Sequence, residues 1–297
     1  MSFERMHGFS QLSPHGAARV ELPGTHGPIA ALEGPRPNDP IATAVLVPGY
    51  TGSKEDFAPL LDGIAEAAIL PVAIDLPGQH ESSGPDDESA YGPAQLGKVV
   101  AELVTGLATE RPVLLLGHSY GGLVARATVL AGAPVAGLTL LCSGPAALPP
   151  GPRHTALDSG EELLRSQGVE ACYAVRKQLD TQLSPHRFTA SPELDAFLRE
   201  RFVATEAACL LGMADGLRHE PDLVPDLADA LREHDIPAAV VAGEHDNAWS
   251  VPSQRDMAQR LGVEFVTIPG AAHSPNTEAP DALLRELLPR WHSWLGE

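Results

Sequence analysis

A serine flanked by glycines, in Gly117-His118-Ser119-Tyr120-Gly121-Gly122, is the first feature of this chain that could do chemistry. The G-x-S-x-G spacing is weak alone, because a chain with 28 glycines meets it by chance. Its setting strengthens it. The apolar run PVLLL precedes it and the helical pattern LVARATVLA follows. A sharp strand-to-helix turn exposes such a serine, and the glycines let strand and helix approach. The bland alternative is a serine that caps a helix. A hydroxyl is a poor nucleophile at neutral pH, so it needs a base, and the base needs an orienting acid. Asp246 stands just after PAAVVAGEH and His273 just after VEFVTIPGAA. The chain order Ser, Asp, His suits an architecture that gathers residues at strand ends. Glu244 is a rival acid two residues before Asp246, and a loop carboxylate or surface histidine is the alternative at each later position.

Acyl transfer also needs hydrogen-bond donors for a developing oxyanion. The N–H of Tyr120, at the start of the predicted helix, is one candidate. The N–H of Tyr50, in Pro48-Gly49-Tyr50-Thr51-Gly52 after an early strand, is the other; an ordinary turn is the alternative there.

Six short apolar runs could position these groups: 42–49, 68–75, 112–119, 136–144, 237–246 and 263–270. Their near-continuous apolar character predicts strands buried on both faces, as in a parallel sheet. Helical patterns lie between them at about 56–68, 94–108, 120–131, 253–261 and 280–295, so the chain reads as βαβ units. Segments 17–22 and 28–33 predict a leading antiparallel hairpin. The alternation breaks from Pro145 to about Pro237, where helical patterns replace strands. Ser191-Pro192 supplies a helix-start signal within it. The insert predicts a helical lid over the strand ends, with a separate helical domain as the alternative. The expected division is 1–144 and 237–297 for the core and 145–236 for the cap.

Composition narrows the classes. The 297 residues are 43% hydrophobic and 20% charged, as in ordinary globular proteins. The formal charge of −19 disfavours nucleic acid and anionic membranes as partners. Cys142, Cys172 and Cys209 fit no metal knuckle or redox pair, and suit free thiols in a reducing compartment. MSFERMHGFSQL lacks an apolar leader core, so the cytoplasm is the expected location. No cofactor or metal motif is read.

The segments GHSYGG, GEHDNAW and PGAAHSPNTEAP, with VPGYTGSKEDF, resemble the nucleophile, acid, histidine and oxyanion segments of the α/β-hydrolase superfamily, in its capped branch of carboxylesterases, lactonases and carbon–carbon bond hydrolases. The resemblance spans about residues 17 to 295. It implies an α/β-hydrolase fold, a mostly parallel sheet flanked by helices with a helical lid inserted before the strand that carries the acid. Two departures stand out. Pro48-Gly49 replaces the common His-Gly, removing a side chain that can brace the loop. In DLPGQHESSG, Pro77 and His80 replace Arg and Gly of the usual pattern, and this loop is assigned a structural role. Family members that open epoxides or displace halide use Asp where this chain has Ser119. The resemblance therefore implies a carboxylesterase-like serine hydrolase, with Ser119 nucleophile, His273 base, Asp246 acid and the Tyr50 and Tyr120 amides as oxyanion donors. Tyr50, Met213 and Trp249 are expected to touch a small, fairly apolar ester or acyl substrate, with Leu148, Leu163, Leu164 and Leu211 as further apolar candidates. Carbon–carbon hydrolysis, lactone opening, or a biosynthetic lyase or cyclase step with the same triad are the alternatives, and a non-catalytic binding protein is a third.

Overall fold

The computed structural model describes residues 9–183 and 191–297. The first eight residues of the stretch weighed as a leader lie outside them. A hairpin opens the fold: β1 (Ala18–Leu22) pairs antiparallel with β2 (Ile29–Glu33), and Leu22 stands opposite Ile29. Then come β3 (Ala42–Val47), α1 (Ala58–Glu66), β4 (Ile69–Ile74), α2 (Pro93–Leu107), β5 (Val113–His118), α3 (Tyr120–Leu130) and β6 (Gly137–Leu141). After the insert come β7 (Ala238–Gly243), α8 (Val251–Leu261), β8 (Glu264–Ile268), the single turn α9 (Pro275–Glu278) and α10 (Pro280–Leu295). The strands form one sheet in the order β1-β2-β4-β3-β5-β6-β7-β8, parallel from β4 through β8.

Strand side chains alternate between faces, and each face has its own core. Val45, Val47, Leu115, Leu138 and Val240 pack with α2, α3 and α8. Leu46, Leu116, Leu141 and Val241 face the other way, against Leu60, Leu61 and Ile64 of α1 and Leu283, Leu287 and Trp291 of α10. Each leucine so enclosed contributes about 1.5–3 kcal/mol. The continuous apolar runs of β3, β4 and β5 follow from this, since all six residues of each strand are buried.

Among the described residues of the insert stand four helices: α4 (Pro152–Leu183), α5 (Pro192–Ala204), α6 (Ala207–His219) and α7 (Val224–Glu233). Gly168 breaks α4, with φ 84° and ψ 178°. Ser191 caps α5 by accepting the Leu194 N–H at 3.2 Å, as its position before Pro192 predicts. Helix α6 rests on the 3₁₀ turn Glu88–Tyr91, and α4 packs on α5 and α6. Helix α7 instead lies on α3 and α8, with Leu227 and Leu231 in the core of that face. Among the described residues, no helix is long and apolar enough to cross a membrane.

Candidate active site

Strand β5 stops at His118, and Ser119 takes φ 56°, ψ −119° before α3 begins. A non-glycine residue in this region costs about 1–3 kcal/mol and persists only where neighbours hold it. The Ser119 N–H is fixed on the Leu141 carbonyl at 2.8 Å. Close approach demands glycine beside it. A Cβ on Gly117 would stand 2.1 Å from the Gly121 carbonyl oxygen, and one on Gly121 would stand 2.3 Å from that of Val47. The crossing of strand and helix thus sets the residues that flank the serine.

The sheet brings the three sequence-predicted side chains together. His273 Nε2 lies 2.9 Å from Ser119 Oγ, and His273 Nδ1 lies 2.9 Å from Asp246 Oδ1. Asp246 follows β7 and His273 follows β8, two strands beyond β6 on the nucleophile's side of the sheet. Asp246 also accepts the Ala248 N–H at 2.9 Å and Gln254 Nε2 at 2.8 Å. Burial opposes its charge, but the bonds from His273, Ala248 and Gln254 hold its pKa below the ordinary value. A charged acceptor facing Nδ1 places the ring proton there and leaves Nε2 to accept the serine hydroxyl. Glu244, the rival acid, is exposed and accepts the Gly270 N–H at 2.8 Å. Gln254 was not singled out from sequence. Its one signal is a place on α8, eight residues after the acid.

His118 adds a second imidazole behind the first. Its Nε2 lies 2.7 Å from the His273 carbonyl oxygen, and the rings stand 5.2 Å apart. Burial, then the neighbouring His273, pushes its pKa down to about 4. The neutral ring therefore donates from Nε2, while its Nδ1 is enclosed without a hydrogen-bond partner. A depressed histidine pKa means that the unfolded chain binds the proton first. Stability from this site is complete above about pH 6.5, the unfolded value. It is lost as the pH falls toward about 4. Urea titrations at pH 7.5 and 5.0 should show a smaller midpoint loss in His118→Gln, which keeps a donor for the carbonyl and cannot be protonated. An unchanged pH dependence would count against a neutral His118.

Among the described residues, two groups of side chains have atoms close enough to share a metal: His118, Cys142 and His273, and Glu55, Asp75 and His80. In the first, His273 spans Ser119 and Asp246. In the second, the Lys54 ammonium reaches Asp75 at 2.7 Å and Glu55 at 3.1 Å. No step is assigned to a metal at either.

The remaining predicted residues separate into different environments. Tyr120 opens α3, so its N–H has no acceptor within the helix. Its phenol is buried and donates to the Tyr91 carbonyl at 2.6 Å. Tyr50 packs against both the main core and a small cluster of Leu164, Phe202, Leu210 and Leu211, so it bridges core and insert. Burial pushes its phenol up to about 12. Met213 and Trp249, expected to touch substrate, are enclosed at 0% and 2% exposure. The Met213 sulfur meets Gln79 and Cys209, each at 3.8 Å. The Trp249 indole N–H reaches the Ala146 and Ala147 carbonyls at 3.1 and 3.2 Å, and the ring fills the space beside Gly144. Both pack the joint between core and insert. Leu148, Leu164 and Leu211 are likewise buried, and Leu163 is half-buried. A polar groove of about 540 Å³ lies elsewhere, between α4, α6 and Glu88, where Arg165 and Arg218 are paired with Glu88, Glu161 and Asp158.

A model of the alpha/beta hydrolase family matches residues 44–286, and the chain belongs to that family. A candidate 2-succinyl-6-hydroxy-2,4-cyclohexadiene-1-carboxylate synthase of Bacillus subtilis (strain 168) is 24% identical over 257 residues, covering 84% of this chain and 89% of its own. Among solved structures, a thermophilic esterase from Thermogutta terrifontis is 21% identical with a TM-score of 0.71, over 94% of this chain and 99% of its own. The enol-lactonase from Burkholderia xenovorans LB400 is 20% identical with a TM-score of 0.73, over 94% of this chain and 100% of its own. At these identities the two structures share the fold.

Proposed function

We propose that this chain is a serine hydrolase that cleaves a carboxylic ester or related acyl compound through an acyl-enzyme. The observation that carries this reading is the unbroken relay from Asp246 through His273 to Ser119, with both links at 2.9 Å. Ser119 Oγ attacks the carbonyl carbon as His273 Nε2 takes its proton. Asp246 holds the imidazole and balances its positive charge. The Tyr50 and Tyr120 amides receive the oxyanion. His273 then passes the proton to the leaving alkoxide, and the alcohol departs. Water, deprotonated by the same nitrogen, attacks the acyl-enzyme and frees the acid. Helices α4, α5 and α6 form the cap, with α7 as the return to the sheet. A fairly apolar substrate of small or medium size suits the apolar cluster that Tyr50 joins to the core.

Fluorophosphonate labelling with peptide mass spectrometry, beside p-nitrophenyl esters of increasing chain length, tests this. One label on Ser119, lost in His273→Ala, is expected, with turnover that peaks at a short or medium acyl chain. An unlabelled Ser119 in a folded protein would sink the acyl-enzyme. The Bacillus relative favours a second reading, a synthase step that uses the same three residues, because it aligns along 84% of this chain. Labelling of Ser119 without turnover of esters or lactones would move the assignment there.

A further inference from the structure

The turn after β3 runs against the nucleophile. A Cβ on Gly49 would stand 3.0 Å from Ser119 Cβ and 3.4 Å from its Oγ. Gly52 N–H closes this turn on the Gly49 carbonyl at 3.0 Å. Thr51 within it has φ 60°, a conformation that a β-branched residue keeps only when its surroundings impose it. One such restraint comes from the loop after β4. The Gln79 side chain is fully buried, its Nε2 donates to the Gly49 carbonyl at 2.9 Å, and its Oε1 accepts the Leu76 N–H at 3.1 Å. Both acceptor positions of the Gly49 oxygen are thereby used. Met213 of α6 closes the far side of the amide, its sulfur 3.8 Å from Nε2.

The Gly49 carbonyl and the Tyr50 N–H belong to one planar peptide, so the direction of the first fixes that of the second. The geometry points to Gln79 as a positioning residue for the reaction: it holds the Gly49–Tyr50 peptide with the Tyr50 N–H turned to the oxyanion before substrate arrives. Such a donor is effective because it does not reorganise during the reaction. The inference rests on the acyl-transfer reading above. It gives a catalytic purpose to a loop whose sequence suggested a structural one. It also supplies a brace where Pro48 replaces a side chain that could have provided it.

The test compares the wild-type chain with Gln79→Glu, Gln79→Met and Ser119→Ala on the best p-nitrophenyl ester. Glutamate keeps the shape but sets an acceptor against the Gly49 oxygen; methionine removes the donor without adding charge. Deleting an oxyanion donor outright lowers kcat by about 10²–10³, so tilting one is expected to cost about 10–100-fold. KM should stay within about twofold, as for an interaction made only in the transition state. Affinity for a trifluoromethyl ketone, which forms the tetrahedral oxyanion, should fall with kcat/KM. A kcat within about threefold of wild type in both variants, or a loss confined to KM, would overturn the role of Gln79 while an inactive Ser119→Ala left the hydrolase reading intact. Full activity in Ser119→Ala would overturn that reading itself. If neither Gln79 variant folds, NMR on the wild-type protein decides. A Tyr50 amide proton that moves downfield on ketone binding, beside exchange-protected Gln79 amide protons, supports the proposal, and an unmoved Tyr50 resonance removes it.

Discussion

Ser119→Ala should lower kcat by about 10⁶-fold, His273→Ala by a similar factor, and the double variant by no more than either alone, because the two act as one unit. Asp246→Asn should cost about 10⁴-fold. The reason lies in the proton on the imidazole. A carboxylate accepts from Nδ1 and leaves Nε2 free to accept from Ser119, with both contacts at 2.9 Å. An asparagine that turns its NH₂ toward His273 demands an acceptor at Nδ1 and moves the proton to Nε2. The serine then faces a donor. Gln254 favours that orientation, because its Nε2 donates to the second Asp246 oxygen and so selects the asparagine oxygen for that place, against the opposing Ala248 N–H. Steady-state ester hydrolysis across the single and double variants measures this. Losses that multiply in Ser119→Ala/His273→Ala would show two independent contributions and break the relay.

Lys54→Met should lower the unfolding free energy by about 3–5 kcal/mol, the range for removing one partner of a buried ion pair. Lys54 and Asp75 both have side chains with 0% exposure, and the ammonium also reaches Glu81 at 2.8 Å. Burial disfavours the ammonium, yet Asp75 and Glu55 raise its pKa above the ordinary value, so it stays charged. Removing it leaves the enclosed Asp75 without its ammonium partner, and with His80 Nδ1 no nearer than 3.9 Å. Lys54→Met/Asp75→Asn should recover part of the loss, because a neutral amide escapes the desolvation cost of a lone carboxylate while its oxygen still accepts the Lys54 N–H, which lies 2.7 Å from Asp75. Urea unfolding of the three proteins checks both statements. A single variant within about 1 kcal/mol of wild type would mean that water or rearrangement compensates Asp75.

The contrast between these two sites shows what the sequence discloses. The sheet was legible because burial on both faces leaves a local mark, runs such as PVLLL that end in a turn. Ser119, Asp246 and His273 were legible because each directly follows such a run. Lys54-Glu55-Asp56 carries the opposite signal. Three charges in a row suggest a solvated surface, yet all three are buried. Their partners, Asp75, Glu81 and Arg201, arrive from 20 or more residues away, and pairing between charges leaves no local periodicity. Gln79 and Gln254 were missed for the same reason, since a lone glutamine looks alike whether it meets water or a backbone carbonyl. Met213 and Trp249, both buried, pose a different problem. An apolar side chain satisfies a core and a substrate pocket equally, so composition cannot separate the two.

The strand order has a consequence for how the protein is made. β7 pairs with β6 and β8 with β7, so both are added outward at one edge after the insert. The serine turn, between β3 and β6, is completed by chain that emerges early. Its partner His273 lies 154 residues later, a delay of roughly 8–30 s at about 5–20 residues per second. Throughout that interval Ser119 has no His273 to accept its proton. On the proposed reading, the relay is complete only once β7 and β8 are in place, so a ribosome-bound fragment that ends within the insert should not react with a fluorophosphonate at Ser119.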